Sequence, residues 1–117
     1  MSLEPYLATL RRRDAALRAD ALRRAEAARA RLPEVVRVLV EEFGVTRVVL
    51  FGSLRWGALH ERSDLDIAVS GLASDAYWRA LDRVTCAAGR AVDLVPLEEA
   101  SASLRARIDA DGEVLLG

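Results

Sequence analysis

Several residue types are scarce or missing in this sequence of 117 residues. Its one cysteine, Cys86, excludes a disulfide within the chain and any metal site built from several cysteines. No apolar run approaches the roughly 20 residues that a membrane-spanning helix needs. The amino-terminal residues also lack the apolar region of a secretion signal. We therefore expect a cytoplasmic protein without a membrane segment.

The chain also lacks a large excess of positive charge. It contains 17 Arg and 18 acidic residues, and this formal net charge of −1 argues against direct binding to nucleic acid. The charge is unevenly distributed, because residues 1–37 contain nine Arg and five acids, a balance of +4. Residues 38–117 contain eight Arg and thirteen acids, a balance of −5. The basic first third could contact an acidic partner.

The first part of the chain has a helical composition. Residues 3–32 are rich in Ala, Leu and Arg and contain no Gly, which predicts one long helix. Pro33 is expected to end this helix and to begin a second one that stops at Gly44. We therefore divide the chain into an N-terminal helical arm, 1–32, and a domain, 33–117. The arm has a thin apolar stripe, which fits a solvated helix or, as we favour, a surface that binds a partner.

Beyond the second helix the apolar pattern alternates, which is typical of strands. The predicted strands cover residues 45–51, 64–70 and 91–95, with a short apolar run at 114–116. The predicted helices cover residues 73–88 and the segment around 104–108. This order of elements predicts an α/β fold with a small mixed sheet, flanking helices mainly on one side, and a metal site on the exposed face of the sheet.

Two side chains of the predicted 73–88 helix are interpreted as structural. Cys86 lies among Val84 and Ala87, so we expect it in the core rather than as a nucleophile or metal ligand. Trp78 is expected in the core or at an interface.

Three acidic residues lie on predicted strands that are otherwise apolar. Asp64 and Asp66 share one face of their strand, and Asp93 lies on the next strand. Burial of an unpaired carboxylate is costly, so three on neighbouring strands are best explained by a shared cation. Hard oxygen ligands of this kind suit Mg²⁺, which takes its other ligands from water and nucleotide phosphates. The alternative is that each carboxylate is a structural charge, in a turn or paired with Arg.

A further candidate element, Gly52-Ser53, ends the first predicted strand. Glycine lets the main chain approach a phosphate closely, and the hydroxyl and amide of Ser53 can donate hydrogen bonds to its oxygens. Residues 54–57 could begin a short helix whose amino end faces the same anion. A phosphate site beside the carboxylates is what two-metal phosphoryl or nucleotidyl transfer requires.

This combination resembles the motifs of the minimal nucleotidyltransferases (MNT, MntA-like antitoxins) of the DNA polymerase β superfamily. Gly52-Ser53 is followed ten residues later by Asp64-Leu65-Asp66 and then by Asp93 on a later strand. The resemblance covers about residues 44–116 and implies the nucleotidyltransferase fold. It also implies transfer of AMP from ATP to a hydroxyl group, with pyrophosphate leaving.

The resemblance implies a role for each motif residue. Asp64 and Asp66 would bind two Mg²⁺ ions, and Asp93 would complete one metal site near the attacking hydroxyl. Gly52 and Ser53 would hold the β- and γ-phosphates of ATP.

One position departs from the pattern. Relatives commonly have a basic residue directly before the second glycine, whereas this chain has Arg55, Trp56 and Gly57. Arg55 therefore either reaches the phosphates from a shifted position or does not make this contact.

The resemblance implies a partner as well. Short chains of this family are typically the antitoxin of a HEPN/MNT toxin–antitoxin pair, and they transfer AMP onto a tyrosine of a helical HEPN toxin encoded nearby. A hetero-oligomer is therefore expected. Two other functions stay open: a non-catalytic antitoxin that acts by occlusion, and a small-molecule nucleotidyltransferase completed by a separate helical subunit.

Overall fold

The computed structural model describes residues 2–57, 59 and 62–117, without the side chain of Trp56. The helices are α1 (Glu4–Phe43), α2 (Tyr77–Ala88) and α3 (Ala102–Asp111). The strands are β1 (Arg47–Phe51), β2 (Leu65–Ser70), β3 (Val92–Pro96) and β4 (Glu113–Leu116). Short 3₁₀ turns lie at Ser53–Trp56, Ser74–Ala76 and Leu97–Glu99. Among the described residues, no helix is both long enough and apolar enough to cross a membrane.

The strands form one mixed sheet in the order β3-β2-β1-β4. The central strand β1 pairs antiparallel with both β2 and β4, and β2 pairs parallel with β3. The parallel pair is possible because α2 carries the chain back across the sheet between β2 and β3. The predicted α/β class, with a small mixed sheet and a long N-terminal helix, is confirmed.

Two hydrophobic clusters hold helices against opposite faces of the sheet. The larger cluster joins α1 and α2 to one face, where Leu50 and Ile67 are fully buried. The smaller cluster lies on the other face and consists of Val49, Ala68, Leu97 and Ile108. This second face is covered by α3 near the middle of the strands, and the acidic end of β2 and β3 lies outside that cluster.

The prediction that Pro33 ends a helix is wrong, because α1 runs through it as one 40-residue helix. Pro33 removes one main-chain hydrogen bond, but it is exposed, so water can reach the carbonyl group that loses its partner. Leu32 and Val35 are buried against the sheet on either side of it and keep both halves in place. The division of the chain at residues 32 and 33 stays a prediction.

The core positions expected for Cys86 and Trp78 are also wrong, because both residues are exposed. The buried face of α2 consists of Ala80, Val84 and Ala88, spaced four residues apart. Cys86 follows Val84 by two positions, which places it about 200° around the helix, on the solvent side. The alternative expectation that Trp78 lies at an interface stays a prediction.

Candidate active site

The parallel pairing of β2 and β3 sets two carboxylates side by side. Asp66 is the register partner of Asp93. Register partners on adjacent strands project from the same face, with the strands roughly 5 Å apart. Strand alternation sends Leu65 and Ile67 into the core on the opposite face, so Asp66 lies on the face that carries α3.

Asp64 lies just before β2 and is exposed. The main chain on both sides of it is held by the segment that precedes β3. A guanidinium nitrogen of Arg90 donates a 2.6 Å hydrogen bond to the carbonyl of Ser63. The amide of Leu65 donates a 3.0 Å hydrogen bond to the carbonyl of Ala91. These contacts keep the main chain at Asp64 close to the start of β3.

The electrostatics show that the three carboxylates act on one another. Burial, followed by the negative charges of Asp93 and Asp64, raises the pKa of Asp66 from its ordinary value of 3.8 to about 6. The ionised form of Asp66 is therefore disfavoured in the folded chain.

Gly52 is required by its conformation and by its neighbour. Its φ of 73° and ψ of −156° are accessible almost only to glycine. A Cβ atom at this position would lie 2.8 Å from Cγ of Asp66 and closer still to Oδ2. The missing side chain is therefore what lets the Asp66 carboxylate lie against the bend at the end of β1.

The remaining motif residues follow in the 3₁₀ turn. Ser53 is exposed at its first position, and the amide of Arg55 donates a 3.2 Å hydrogen bond to the carbonyl of Gly52. The hydrogen bond from Arg29 lowers the pKa of the Glu113 carboxyl on β4, and the positive charge of Arg55 lowers this pKa as well. Whether Arg55 contacts phosphates stays a prediction, and the side chain of Trp56 lies outside the described residues.

A cleft of about 340 Å³ opens beside Asp66, between the end of β1 and α3. Its lining residues are Phe51, Gly52, Asp66, Leu104, Arg107, Ile108 and Asp111. The sequence patterns predicted α3 but gave no role to Arg107 or Asp111. Their position near Ile108, the one buried residue of α3, could have indicated this place. Residues next to a buried position on a helix lie at the edge of the surface against which the helix packs.

The carboxylates fit Mg²⁺ by their donor chemistry. Asp66 and Asp93 offer hard oxygen ligands at adjacent register positions, and Asp64 is close enough to influence Asp66. Within residues 2–57, 59 and 62–117, no three Asp, Glu, His or Cys side chains form a group that could hold a metal ion. The structure pairs Asp66 with Asp93 in register, and Asp64 lies just before β2. The site formed by all three stays a prediction.

Comparison with known proteins identifies relatives of this chain. The family model "Polymerase beta, Nucleotidyltransferase" matches residues 34–117. The protein adenylyltransferase MntA of Shewanella oneidensis (strain MR-1) is 39% identical over 75 residues, which cover 60% of this chain and 52% of that protein. The match thus spans about half the length of this relative.

Two solved toxin–antitoxin structures are also similar. One is a toxin–antitoxin with AMP-PNP, 31% identical with a TM-score of 0.62, and the match covers 75% of this chain and 72% of that chain. The other contains a tri-AMPylated S. oneidensis HEPN toxin in complex with an MNT antitoxin; it is 26% identical with a TM-score of 0.56, covering 80% and 72%. Because the family model covers most of the chain, this protein belongs to the polymerase β nucleotidyltransferase family.

Proposed function

We propose that this protein is a Mg²⁺-dependent nucleotidyltransferase that moves AMP from ATP to a hydroxyl group of a HEPN-type toxin, and that it acts as the antitoxin of the pair. The observation that carries this proposal is the Asp66–Asp93 pair, which lies beside Gly52. The adenylyltransferase activity named for S. oneidensis MntA supports the reaction. The AMPylated HEPN toxin supports the acceptor, and AMP-PNP in a similar structure supports ATP as the donor.

Different residues of the chain would bind the phosphates, hold the metal ions and face the acceptor hydroxyl. Ser53, exposed at the start of the turn that follows Gly52, presents its hydroxyl and amide to the β- and γ-phosphates. Asp66 and Asp93, with Asp64, would hold Mg²⁺, which supplies positive charge to the phosphates and lowers the pKa of the attacking hydroxyl. Asp93 is exposed, so its carboxylate is accessible to an acceptor hydroxyl that attacks the α-phosphorus while pyrophosphate leaves.

The electrostatics of the carboxylates support this role. Burial and two like charges raise the pKa of Asp66 to about 6, so at neutral pH the folded chain maintains an unfavourable cluster of negative charge. Shifts of this origin occur preferentially at functional sites. A purely structural role for Asp66 gives no reason to keep an ionisable group at this position.

The test is transfer of label from ATP. The full chain is incubated with α-labelled ATP, Mg²⁺ and the HEPN-type protein encoded beside it, and label on that protein is measured. We expect labelling with the wild type and a loss of more than about 100-fold with Asp66→Ala. Asp109→Ala is the matched control, because Asp109 is an exposed carboxylate of α3 with one surface ion pair to Arg47.

Other outcomes would identify the two alternative functions. Neutralisation of the toxin that survives Asp64→Ala and Asp66→Ala, without any label on the toxin, would favour occlusion. Label that appears only on an added small alcohol would favour a small-molecule transferase. Either result would contradict the proposed reaction.

A further inference from the structure

The cleft beside Asp66 contains a cation that the proposed function has not used. Arg107 of α3 lines this cleft on the wall opposite Gly52 and Asp66. Its side chain is exposed, and among the described residues it makes no hydrogen bond or ion pair. Asp111, one helical turn further along, also lines the cleft without pairing to Arg107. The guanidinium is therefore available to a ligand.

The packing of α3 determines where Arg107 lies. The side chain of Ser101 caps the helix by accepting a 3.2 Å hydrogen bond from the amide of Leu104. The next residue after Arg107, Ile108, is 1% exposed and packs against Val49 and Ala68 of the sheet. Because Ile108 anchors the helix in the core, the main chain of Arg107 is held beside the cleft.

The other candidate cation, Arg55, lies in the 3₁₀ turn after β1, and its charge reaches β4. Its charge helps to lower the pKa of Glu113, which is hydrogen-bonded to Arg29 of α1. Glu113 therefore belongs to the side of the sheet that faces α1. The cleft that contains Asp66 lies on the opposite face, under α3.

We propose that Arg107 binds the β- and γ-phosphates of the nucleotide from the side of α3, opposite Gly52 and Ser53. This inference rests on the proposed function, which places a triphosphate in this cleft. A planar guanidinium can donate two parallel hydrogen bonds to phosphate oxygens, so it both attracts and orients the group. It would also stabilise the negative charge that develops on the leaving pyrophosphate.

The experiment measures binding of a non-hydrolysable ATP analogue with Mg²⁺ to the full chain by calorimetry. We expect Arg107→Gln to weaken binding at least about tenfold, since a hydrogen bond to a charged group is lost. Arg107→Lys should recover part of the affinity, because it keeps the charge without the planar fork. Arg105→Gln is the matched control: it removes the same charge from the same helix at an exposed position outside the cleft lining.

Melting without nucleotide separates binding from folding. Arg107 is exposed, so Arg107→Gln should melt at the wild-type temperature; if it does not, Arg107→Met serves as the second neutral variant. Wild-type affinity in the neutral variants, or an equal loss with Arg105→Gln, would overturn the role of Arg107. No binding by the wild type would instead overturn the proposed function, and this inference with it.

Discussion

Gly52 and Asp66 each depend on the identity of the other. Any side chain at Gly52 would occupy the space of the Asp66 carboxylate, and the φ of 73° would strain it as well. Asp66 in turn lies between this bend and Asp93, where burial and like charge raise its pKa. Gly52 cannot be replaced by another residue without strain, and the buried charge of Asp66 lowers the stability of the folded chain. A charged ligand that binds beside these two residues would explain why both are present.

The charge of Asp66 should destabilise the metal-free chain in a defined pH range. Its pKa is raised from 3.8 to about 6 on folding, so the folded state binds more protons than the unfolded state between these values. Stability therefore falls as pH rises from about 4 to about 6. Without divalent cations, Asp66→Asn should raise the unfolding free energy by about 1–2 kcal/mol at pH 7.5 and by almost nothing at pH 4.

Urea denaturation at several pH values measures this difference. Asp14→Asn, which removes an exposed carboxylate from α1, should show no such dependence on pH. An Asp66→Asn variant that is less stable than the wild type at pH 7.5 would show that the carboxylate makes favourable contacts and would contradict the argument.

Residue spacing predicted that the Asp66 side chain lies on the polar face of its strand, and it did so for a simple geometric reason. Strand alternation determines which residues share a face, so Asp66 could be assigned to a face before its neighbours were known. Arg107 could not be placed in this way, because its position depends on how α3 packs across the sheet. Local sequence pattern says little about packing between elements that are distant in the chain. The motif therefore suggested Arg55, which lies within it, as the cation.

At the level of whole elements, α1 shows how packing overrides a local signal. Proline inside a helix is unfavourable by itself, and the sequence pattern around Pro33 correctly indicates this cost. The helix continues because buried residues on both sides of Pro33 contact the same core. The exposure of Cys86 has a related cause: apolar neighbours in the sequence do not determine which side of α2 faces the sheet.

The cost of Pro33 should be measurable. Pro33→Ala restores a main-chain hydrogen bond and removes no buried contact, since Pro33 is exposed. We expect the unfolding free energy to rise by about 1–3 kcal/mol. The control is Pro5→Ala, because Pro5 lies in the first turn of α1, where proline is well tolerated. Equal effects of the two substitutions in urea denaturation would contradict the continuous helix.

At the scale of the whole molecule, α1 makes the chain elongated, with extents of 65 × 29 × 21 Å. Its first half exposes large apolar side chains, including Tyr6, Leu10 and Leu17. Its second half is part of the core. Near the middle of the helix, the carbonyl of Ala21 accepts a hydrogen bond from the amide of Leu59. The interpretation of the arm as a surface that binds a partner stays a prediction.

The contacts of α1 suggest where the arm ends. The carboxylate of Glu113 on β4 accepts hydrogen bonds from Arg29 of α1, at 3.0 and 3.3 Å. Arg24 donates to the carbonyl of Leu59 at 3.4 Å. These contacts all arise before residue 33, so α1 stabilises the sheet well ahead of the predicted domain boundary.

Two truncations should locate the start of the stable unit. Deletion of residues 2–20 removes mainly exposed residues, so we expect the unfolding free energy to change by less than about 1 kcal/mol. Deletion of 2–32 also removes Ala25, Ala28 and Leu32, which are 3–5% exposed in the main core. This loss should cost about 3 kcal/mol or more, because a buried leucine alone contributes on this scale. Urea denaturation measures both, and equal stability of the two truncated chains would instead support a boundary at residues 32 and 33.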